Sequence, residues 1–444
     1  MNKLLFIAVL SFVFISLIAQ NTISLEEAIT MARENNLSLQ SNYYQMEASR
    51  WTYENSRAQF LPKLNLSATT LILDKEQSID LGFAQMTLQD KNTYSLGLSA
   101  EQVFFAGGRI YRFNNISKLQ YEMSQNNYRK ALLDTDNRVT ELYYTLLQTL
   151  SAYEILRLHL ELCHDIKDNT QVLFNNGIGL ETDIMLWELR IIEIENQRNS
   201  VWNAIVNLEQ LWGLTLGIDD IYNIPLPEIV DIEDILIEIR EFSLLGNEQK
   251  RDKMNDYLSK VNQNNIDLLN LSKSKEILYH YNRIAAADFM PTLFASFNMD
   301  LGTASDISDM GKAFQEDNTW QIMANINIPL FHGFRNITNY RAREYEIRSQ
   351  TRMLEEGTKG LDIQSRQIWY DFDNATNNVI QLEKYYNLAE RSLGIIRNLH
   401  NEGMATNVTL QDAQNSALAA NLQFINSIYD YVNIKNKLNS FTGE

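Results

Sequence analysis

Cysteine occurs once, at Cys163, so neither an intrachain disulfide framework nor a cysteine-based zinc site can form. Proline (5) and glycine (17) are scarce for 444 residues. Such sparse turn punctuation disfavours small barrels and sandwiches and favours long uninterrupted helices. Positive charge is also short: 38 Lys and Arg against 56 Asp and Glu leave a net charge of −18. That balance excludes the basic face a nucleic-acid backbone needs. The five His, at 159, 164, 280, 332 and 400, show no HExxH or other metal-ligand spacing, and neither GxxxxGK[ST] nor GxSxG occurs. Gly107-Gly108 lacks the spaced glycines of a dinucleotide loop. An enzyme is therefore not expected, nor is any cofactor or metal. Beyond the first twenty residues there is no second apolar run of ~20 residues, so any membrane insertion must use strands. At 45% hydrophobic content the chain is not disordered as a whole, and its length suits one very elongated molecule or two units.

Met1 to Gln20 carries one positive charge at Lys3, an apolar run from Leu4 to Ile18 and a small residue at Ala19. This is a secretory signal pattern, with cleavage expected after Ala19 or within a residue or two of it, because Leu17 is not small. A retained N-terminal anchor is the competing reading.

The chain matches itself. Asn35, Asn36, Leu37 and Leu39 correspond to Asn264, Asn265, Ile266 and Leu268, and Ala58, Phe60, Pro62 and Leu64 to Ala287, Phe289, Pro291 and Leu293, all offset by 229. Phe105, Gly107, Arg109 and Gly177 correspond to Phe331, Gly333, Arg335 and Gly403, offset by 226. The shift drops once, between residues 65 and 104, which places the length difference in a loop. The sequence is a tandem repeat. The first helix-strand-strand-helix repeat is expected over 20–230, with strands about 63–72 and 94–103, a long helix about 107–175 and a return helix about 182–212. The second is expected over 231–444, with strands about 291–301 and 320–330, a long helix about 333–401 and a return helix about 407–440.

In the first repeat Ser24-Leu-Glu-Glu27 is a capping box opening a helix that runs toward Gln59 and ends before Pro62. Leu64, Leu66, Ala68 and Ile72 then alternate with Asn65, Ser67 and Thr69, and Tyr94, Leu96, Leu98 and Ala100 with Ser95, Gly97, Ser99 and Glu101. That period of two defines strands with one apolar face. The long helices, 68 positions from Arg109 to Gly177 and 68 from Arg335 to Gly403, would each span ~100 Å. Val139, Leu142, Leu146, Thr149, Tyr153, Leu156, Leu160 and Cys163 form a heptad seam, which makes Cys163 a core residue. Segments 74–93 and 302–319 read as polar, irregular loops.

Strands of about ten residues with one apolar face fit a membrane β-barrel, and a soluble hairpin packed on helices is the alternative. Four strands cannot close a barrel, and an open edge cannot face lipid, so several chains would share one. Two copies give eight strands and three give twelve; a lumen wide enough for passage favours twelve. Phe60, Phe104, Phe105, Phe289 and Phe331 sit at one strand rim, as membrane-interface aromatics or as junction packing.

ISLEEAITMARENNLSLQ at Ile23–Gln40, AQFLPKLNLSATT at Ala58–Thr70, YSLGLSAEQVFFAGGR at Tyr94–Arg109, the turns FNNGIGLETDIML and HNEGMATNVTLQDAQ, and the closing elements NLEQLWGL and NKLNSFTG together resemble the TolC-like outer-membrane efflux protein family over essentially the whole mature chain. The resemblance implies a mainly α chain with membrane β structure. It implies a homotrimer with a twelve-stranded outer-membrane barrel, four strands per chain, continued by a long α-helical coiled-coil barrel in the periplasm. Acidic Glu228–Glu241 would lie in an equatorial region. The implied function is a passive exit duct for small molecules or polypeptides in a tripartite efflux or type I secretion system. The implied partners are a periplasmic adaptor (membrane fusion) protein, an inner-membrane RND, ABC or MFS transporter, and outer-membrane lipid.

By the same resemblance, Gly177, Ile178, Gly179 and Leu180, with Gly403, Met404 and Ala405, are helix tips that an adaptor engages; as plain chain they are helix-to-helix turns needing φ > 0 at glycine. Two inward positions on the helix after the second turn, acidic in the family, fall at Thr409 and Asp412, so a single carboxylate ring remains at the periplasmic gate. Asp183 holds the place matching Thr409, and His400 is its partner by position. A solvated-face role is the alternative for Asp412. A secreted periplasmic or surface coiled-coil structural or adhesin protein is the rival class; it explains the helices and leader but not strand pairs placed identically in both halves.

Overall fold

The computed structural model describes residues 22–443, apart from positions 81, 84, 219, 221, 222 and 317. The leader expected at Met1–Ala19 lies outside the described residues. In chain order the first repeat contains β1 (Thr22–Ile23), α1 (Leu25–Asn35), α2 (Leu37–Ala58), β2 (Lys63–Ile72), β3 (Gln77–Asp80), β4 (Gln85–Gln89), β5 (Asn92–Ala106), α3 (Arg109–Asn175), α4 (Glu181–Leu216) and β6 (Leu226–Pro227). The second contains α5 (Ile232–Ser243), α6 (Asn247–Asn264), α7 (Ile266–Ala287), β7 (Thr292–Ala304), a 3-10 turn at Ile307–Asp309, α8 (Met310–Glu316), β8 (Thr319–Asn327), α9 (Arg335–Asn401) and α10 (Asn407–Phe441). Two compact units result: a helical unit (residues through Tyr43, Asn127–Leu268 and Gly357–Glu444) and a sheet unit (Tyr44–Asn126 and Leu269–Glu356).

The capping box forms as its residue types dictate. Ser24 accepts from the Glu27 amide, and the Glu27 carboxylate accepts from the Ser24 amide, satisfying two otherwise orphaned donors. The single helix expected from there toward Gln59 is instead broken at Asn36, which is extended (φ −67°, ψ 115°). Its Oδ1 accepts from the Leu39 amide at 3.1 Å and starts α2. The second repeat does the same: Asn265 (φ −62°, ψ 118°) ends α6, and its Oδ1 accepts from the Asp267 and Leu268 amides at 3.1 Å. Asparagine offers amide donors a local acceptor, so it can stop one helix and start the next. The segments at 74–93 and 302–319, read as irregular, contain the β3–β4 hairpin and α8. Those elements are only four to seven residues long, too short for periodicity to mark.

The helical unit has two cores. One joins α3, α4 and α10 through Val139, Leu146, Leu156, Trp187, Ile194 and Ala417. Of the expected heptad seam, Thr149 and Tyr153 are half-buried and the other six side chains are buried, Cys163 completely. Burial pushes the Cys163 thiol up to about 11, so it is an unreactive core group. The second core seats α5 and α6 on α9 and α10, where Phe242 meets Phe372 edge-on with ring centroids 4.8 Å apart. α3 and α9 are both 67 residues long.

Candidate functional site

In the sheet unit the strands pair antiparallel in the order β2-β5-β7-β8, so β5 and β7 join the hairpins of the two repeats into one sheet. Register sorts the side chains into rows. Leu66, Leu98, Met299 and Trp320 stand in one row, and Leu64, Ala100, Phe297 and Ile322 in the next on the same face. The opposite face carries the row Asn65, Ser99, Asn298 and Gln321 and the row Ser67, Gly97, Asp300 and Thr319. Over these four rows one face is apolar and the other polar. β2 and β8 are exposed along their whole length and have no outer neighbour among the described residues. A soluble protein buries such a face and blunts such edges; among the described residues here, the apolar side chains of β2 and β8 are exposed and both edges are open. Surroundings of lipid on one side, water on the other and a further strand at each edge would satisfy every row.

Phe60, Phe104, Phe105, Phe289 and Phe331 are all exposed at the ends of these strands. The strand-to-helix junction beside them uses left-handed backbone in both repeats, at Gly107 (φ 61°) and Gly108 (φ 80°) and at Gly333 (φ 58°) and Phe334 (φ 65°). Phe334 packs edge-on against Phe331, ring centroids 5.5 Å apart. Arg109 forms an ion pair with Asp288 across the repeats.

In the helical unit the two turns between long and return helices are built alike. The Ile178 amide donates to the Leu173 carbonyl and the Gly177 amide to Phe174; Met404 donates to Leu399 and Gly403 to His400. This bond pair requires a left-handed residue, and Gly177 and Gly403 both have φ 75°. Ile178, Leu180 and Met404 are exposed at the turns, while Gly179 and Ala405 are half-buried.

Thr406 caps α10, accepting from the Thr409 amide at 3.2 Å, and the two hydroxyls are 2.9 Å apart. Thr409 and Asp412 are exposed and Asp183 is half-buried. His400 meets Asn407 rather than Asp183: its Nε2 lies 3.0 Å from Asn407 Oδ1. The same oxygen accepts from the Trp187 indole at 3.1 Å, joining α4, α9 and α10 at the turn. Trp187 and Asn407 were not legible as site residues, because each reads as an ordinary seam or first-turn residue. From Thr409 the exposed positions of α10 recur at Asp412, Ser416, Ala419, Gln423 and Asn426, in steps of three and four. The stripe contains no large apolar side chain, while the flanking Leu410, Ala413, Ala417 and Leu418 are buried.

A buried polar layer links α3, α4 and α10. Arg190 Nε donates to Gln414 Oε1 at 3.3 Å, and Gln414 Nε2 lies 3.4 Å from His159 Nδ1. Burial, with Arg190 nearby, lowers the His159 pKa to about 4, so the ring is neutral and Nδ1 accepts. Among the described residues no His, Cys, Asp or Glu group could hold a metal ion, and no helix is long and apolar enough to cross a membrane.

A duplicated chain of long paired helices with a two-faced, open-edged four-stranded sheet has the architecture of the outer-membrane channels. The sequence pattern of the family described as outer membrane efflux protein matches residues 28–213 and 257–444, and the chain belongs to that family. Outer membrane protein TolC of Vibrio cholerae serotype O1 is 20% identical over 409 residues, 92% of this chain and 88% of that protein. Among solved structures, the outer membrane protein VceC from Vibrio cholerae has a TM-score of 0.78 at 15% identity, covering 94% of this chain and 96% of that one. The CmeC outer membrane channel of Campylobacter jejuni has a TM-score of 0.76 at 15% identity, covering 94% and 85%. The fold is thus that of the trimeric channels, the location is the outer membrane with a helical part in the periplasm, and the activity is that of an efflux duct rather than an enzyme.

Proposed function

We propose that three copies of this chain assemble into one exit duct of a tripartite efflux or type I secretion system, fed by an inner-membrane pump through a periplasmic adaptor. The observation that carries the reading is the sheet: an apolar face exposed along its outer strands, and two edges, β2 and β8, with no partner strand among the described residues. Pairing β8 of one copy with β2 of the next removes every edge, and twelve strands enclose a polar lumen. The polar stripe on α10 supports a water-lined path along the helices of the helical unit. Asp412, next to Thr409 and near the Asn407 junction with His400, is the gate carboxylate, and Asp183 supplies a polar neighbour from the first repeat. The exposed Ile178, Leu180 and Met404, with Gly177, Gly179, Gly403 and Ala405 shaping the turns, form the adaptor-docking tips. The secreted structural or adhesin alternative does not account for the sheet.

The test is a pair of substitutions one residue apart. Leu98→Arg places a cation on the apolar face and is expected to cost about 2–4 kcal/mol per chain, abolishing the trimer recovered unboiled from the outer membrane. Ser99→Arg, on the polar face, leaves the trimer intact. Equal recovery of both, or a soluble monomer from the unsubstituted chain, overturns the proposal.

A further inference from the structure

Residues 228–248 carry seven carboxylates (Glu228, Asp231, Glu233, Asp234, Glu238, Glu241 and Glu248) against one cation, Arg240. That net −6 is a third of the charge of the whole chain in 21 of its 444 residues. The inner side of α5 is fixed to its own unit. Leu236, Ile239 and Phe242 are buried. Arg240 reaches Glu383 at 2.8 Å and Glu233 at 3.2 Å, while Glu238 accepts from Tyr431 at 3.1 Å and Lys435 at 2.6 Å.

The outer side is different. Asp234, Ile237, Glu241 and Leu244 follow one another in steps of three, four and three, which puts them in a single stripe along α5 and its C-cap. All four are exposed, Ile237 at 46% and Leu244 at 85%. Neither Asp234 nor Glu241 forms an ion pair among the described residues. Two apolar side chains seven residues apart, interleaved with two carboxylates seven residues apart, present the repeat of a coiled-coil seam on a helix whose other side is packed into its own unit. A water-facing helix gains nothing from Ile and Leu at these places.

We infer that this stripe is a docking surface for a basic amphipathic helix of a second protein, one that sets two apolar residues a heptad apart between Ile237 and Leu244 and flanks them with Lys or Arg facing Asp234 and Glu241. Charge selects the occupant. The same stripe of another copy would bring carboxylates against carboxylates, the net charge of −18 disfavours other faces of a second copy, and an anionic lipid surface would be repelled. The inference stands apart from the export reading, because α5 lies in the helical unit and the sheet plays no part in it.

Two fluorescent peptides of identical Leu and Lys composition test it on the purified full chain in detergent, one with its leucines on a single helix face and one with them scattered. The ordered peptide is expected to bind about tenfold tighter, ~1.4 kcal/mol, and the Asp234→Lys/Glu241→Lys double variant to lose that preference. Equal binding of both peptides means attraction by net charge alone and overturns the proposal, as does a preference that survives charge reversal. In cells, a photo-crosslinking residue at position 237 is expected to attach to a Lys- or Arg-flanked apolar segment of a different protein. Attachment to another copy of this chain, or none, overturns it.

Discussion

In the first repeat Gly217 ends α4 hard against the break between α1 and α2: an added Cβ would stand 2.6 Å from Asn35 Cβ and 2.8 Å from its carbonyl oxygen. In the second, Gly443 follows α10 with nearly the same φ, 74° against 72°, yet the nearest atom to such a Cβ, on Asn264, is 3.4 Å away. The strand-to-helix junctions differ in the same sense. A Cβ on Gly107 would meet Ala287 at 2.8 Å, whereas Gly333 has open space around it and Phe334 replaces the glycine that follows. Duplication has kept the turn geometry in both halves, and close packing around those turns only in the first. Chain direction is what both repeats need; the second repeat has used its looser surroundings to diverge, and its return helix carries the polar stripe.

Breaking this comparison at its strongest point, Gly217→Ala adds the left-handed penalty to a clash with backbone and should cost about 3 kcal/mol, while Gly443→Ala should cost about 1 kcal/mol. Helical melting followed by circular dichroism separates them, and equal losses would erase the distinction. The buried His159 gives the next test. Its folded pKa of about 4 lies below the ordinary 6.5, so the unfolded chain takes up a proton that the folded chain refuses. Stability is therefore unaffected above pH 6.5 and falls as pH drops toward 4, by up to ~3 kcal/mol. His159→Leu should flatten that window in urea titrations. The matching position in the second repeat, Tyr385, is exposed rather than buried. Asn36→Ala and Asn265→Ala should each cost about 1 kcal/mol, equally in the two repeats, by removing the acceptor that starts the following helix. Smallest, and opposite in sign, Phe334→Gly should raise stability by up to about 1 kcal/mol by relieving its left-handed backbone, read as a higher melting temperature.

Fold class and family were legible because the signal was repeated: period-two alternation at Leu64–Ile72 and Tyr94–Ala100 with counterparts at a fixed offset, and proline-free stretches of equal length. The breaks at Asn36 and Asn265 were not, although the paired asparagines were visible in the self-match. Asparagine is tolerated inside helices, and whether its side chain caps depends on the turn it enters. The partner of His400 was out of reach for a different reason. Asp183 and Asn407 both lie within a turn or so of the tips, and only the packing of α4 against α10 through Trp187 chooses between them. Arg190 and Gln414 are polar residues inside an apolar seam, where periodicity registers a gap without revealing that the gap is filled by a partner from the other repeat.

The central pairing of the sheet has a consequence for biogenesis. β5 and β7 pair from Tyr94 with Ala304 to Ala106 with Thr292, with register shifts at Leu96/Gly97 and Val103/Phe105, and these contacts are separated by about 190–210 residues of chain. Closing such a loop precedes any return from the contact, so a sheet of this kind forms slowly. The β2–β5 hairpin, made first, must wait with the second edge of β5 unpaired until nearly two hundred further residues have been produced. During that interval the chain is at its most prone to aggregate. Holding factors that mask the first hairpin should accordingly limit yield more than any step after β7 is in place.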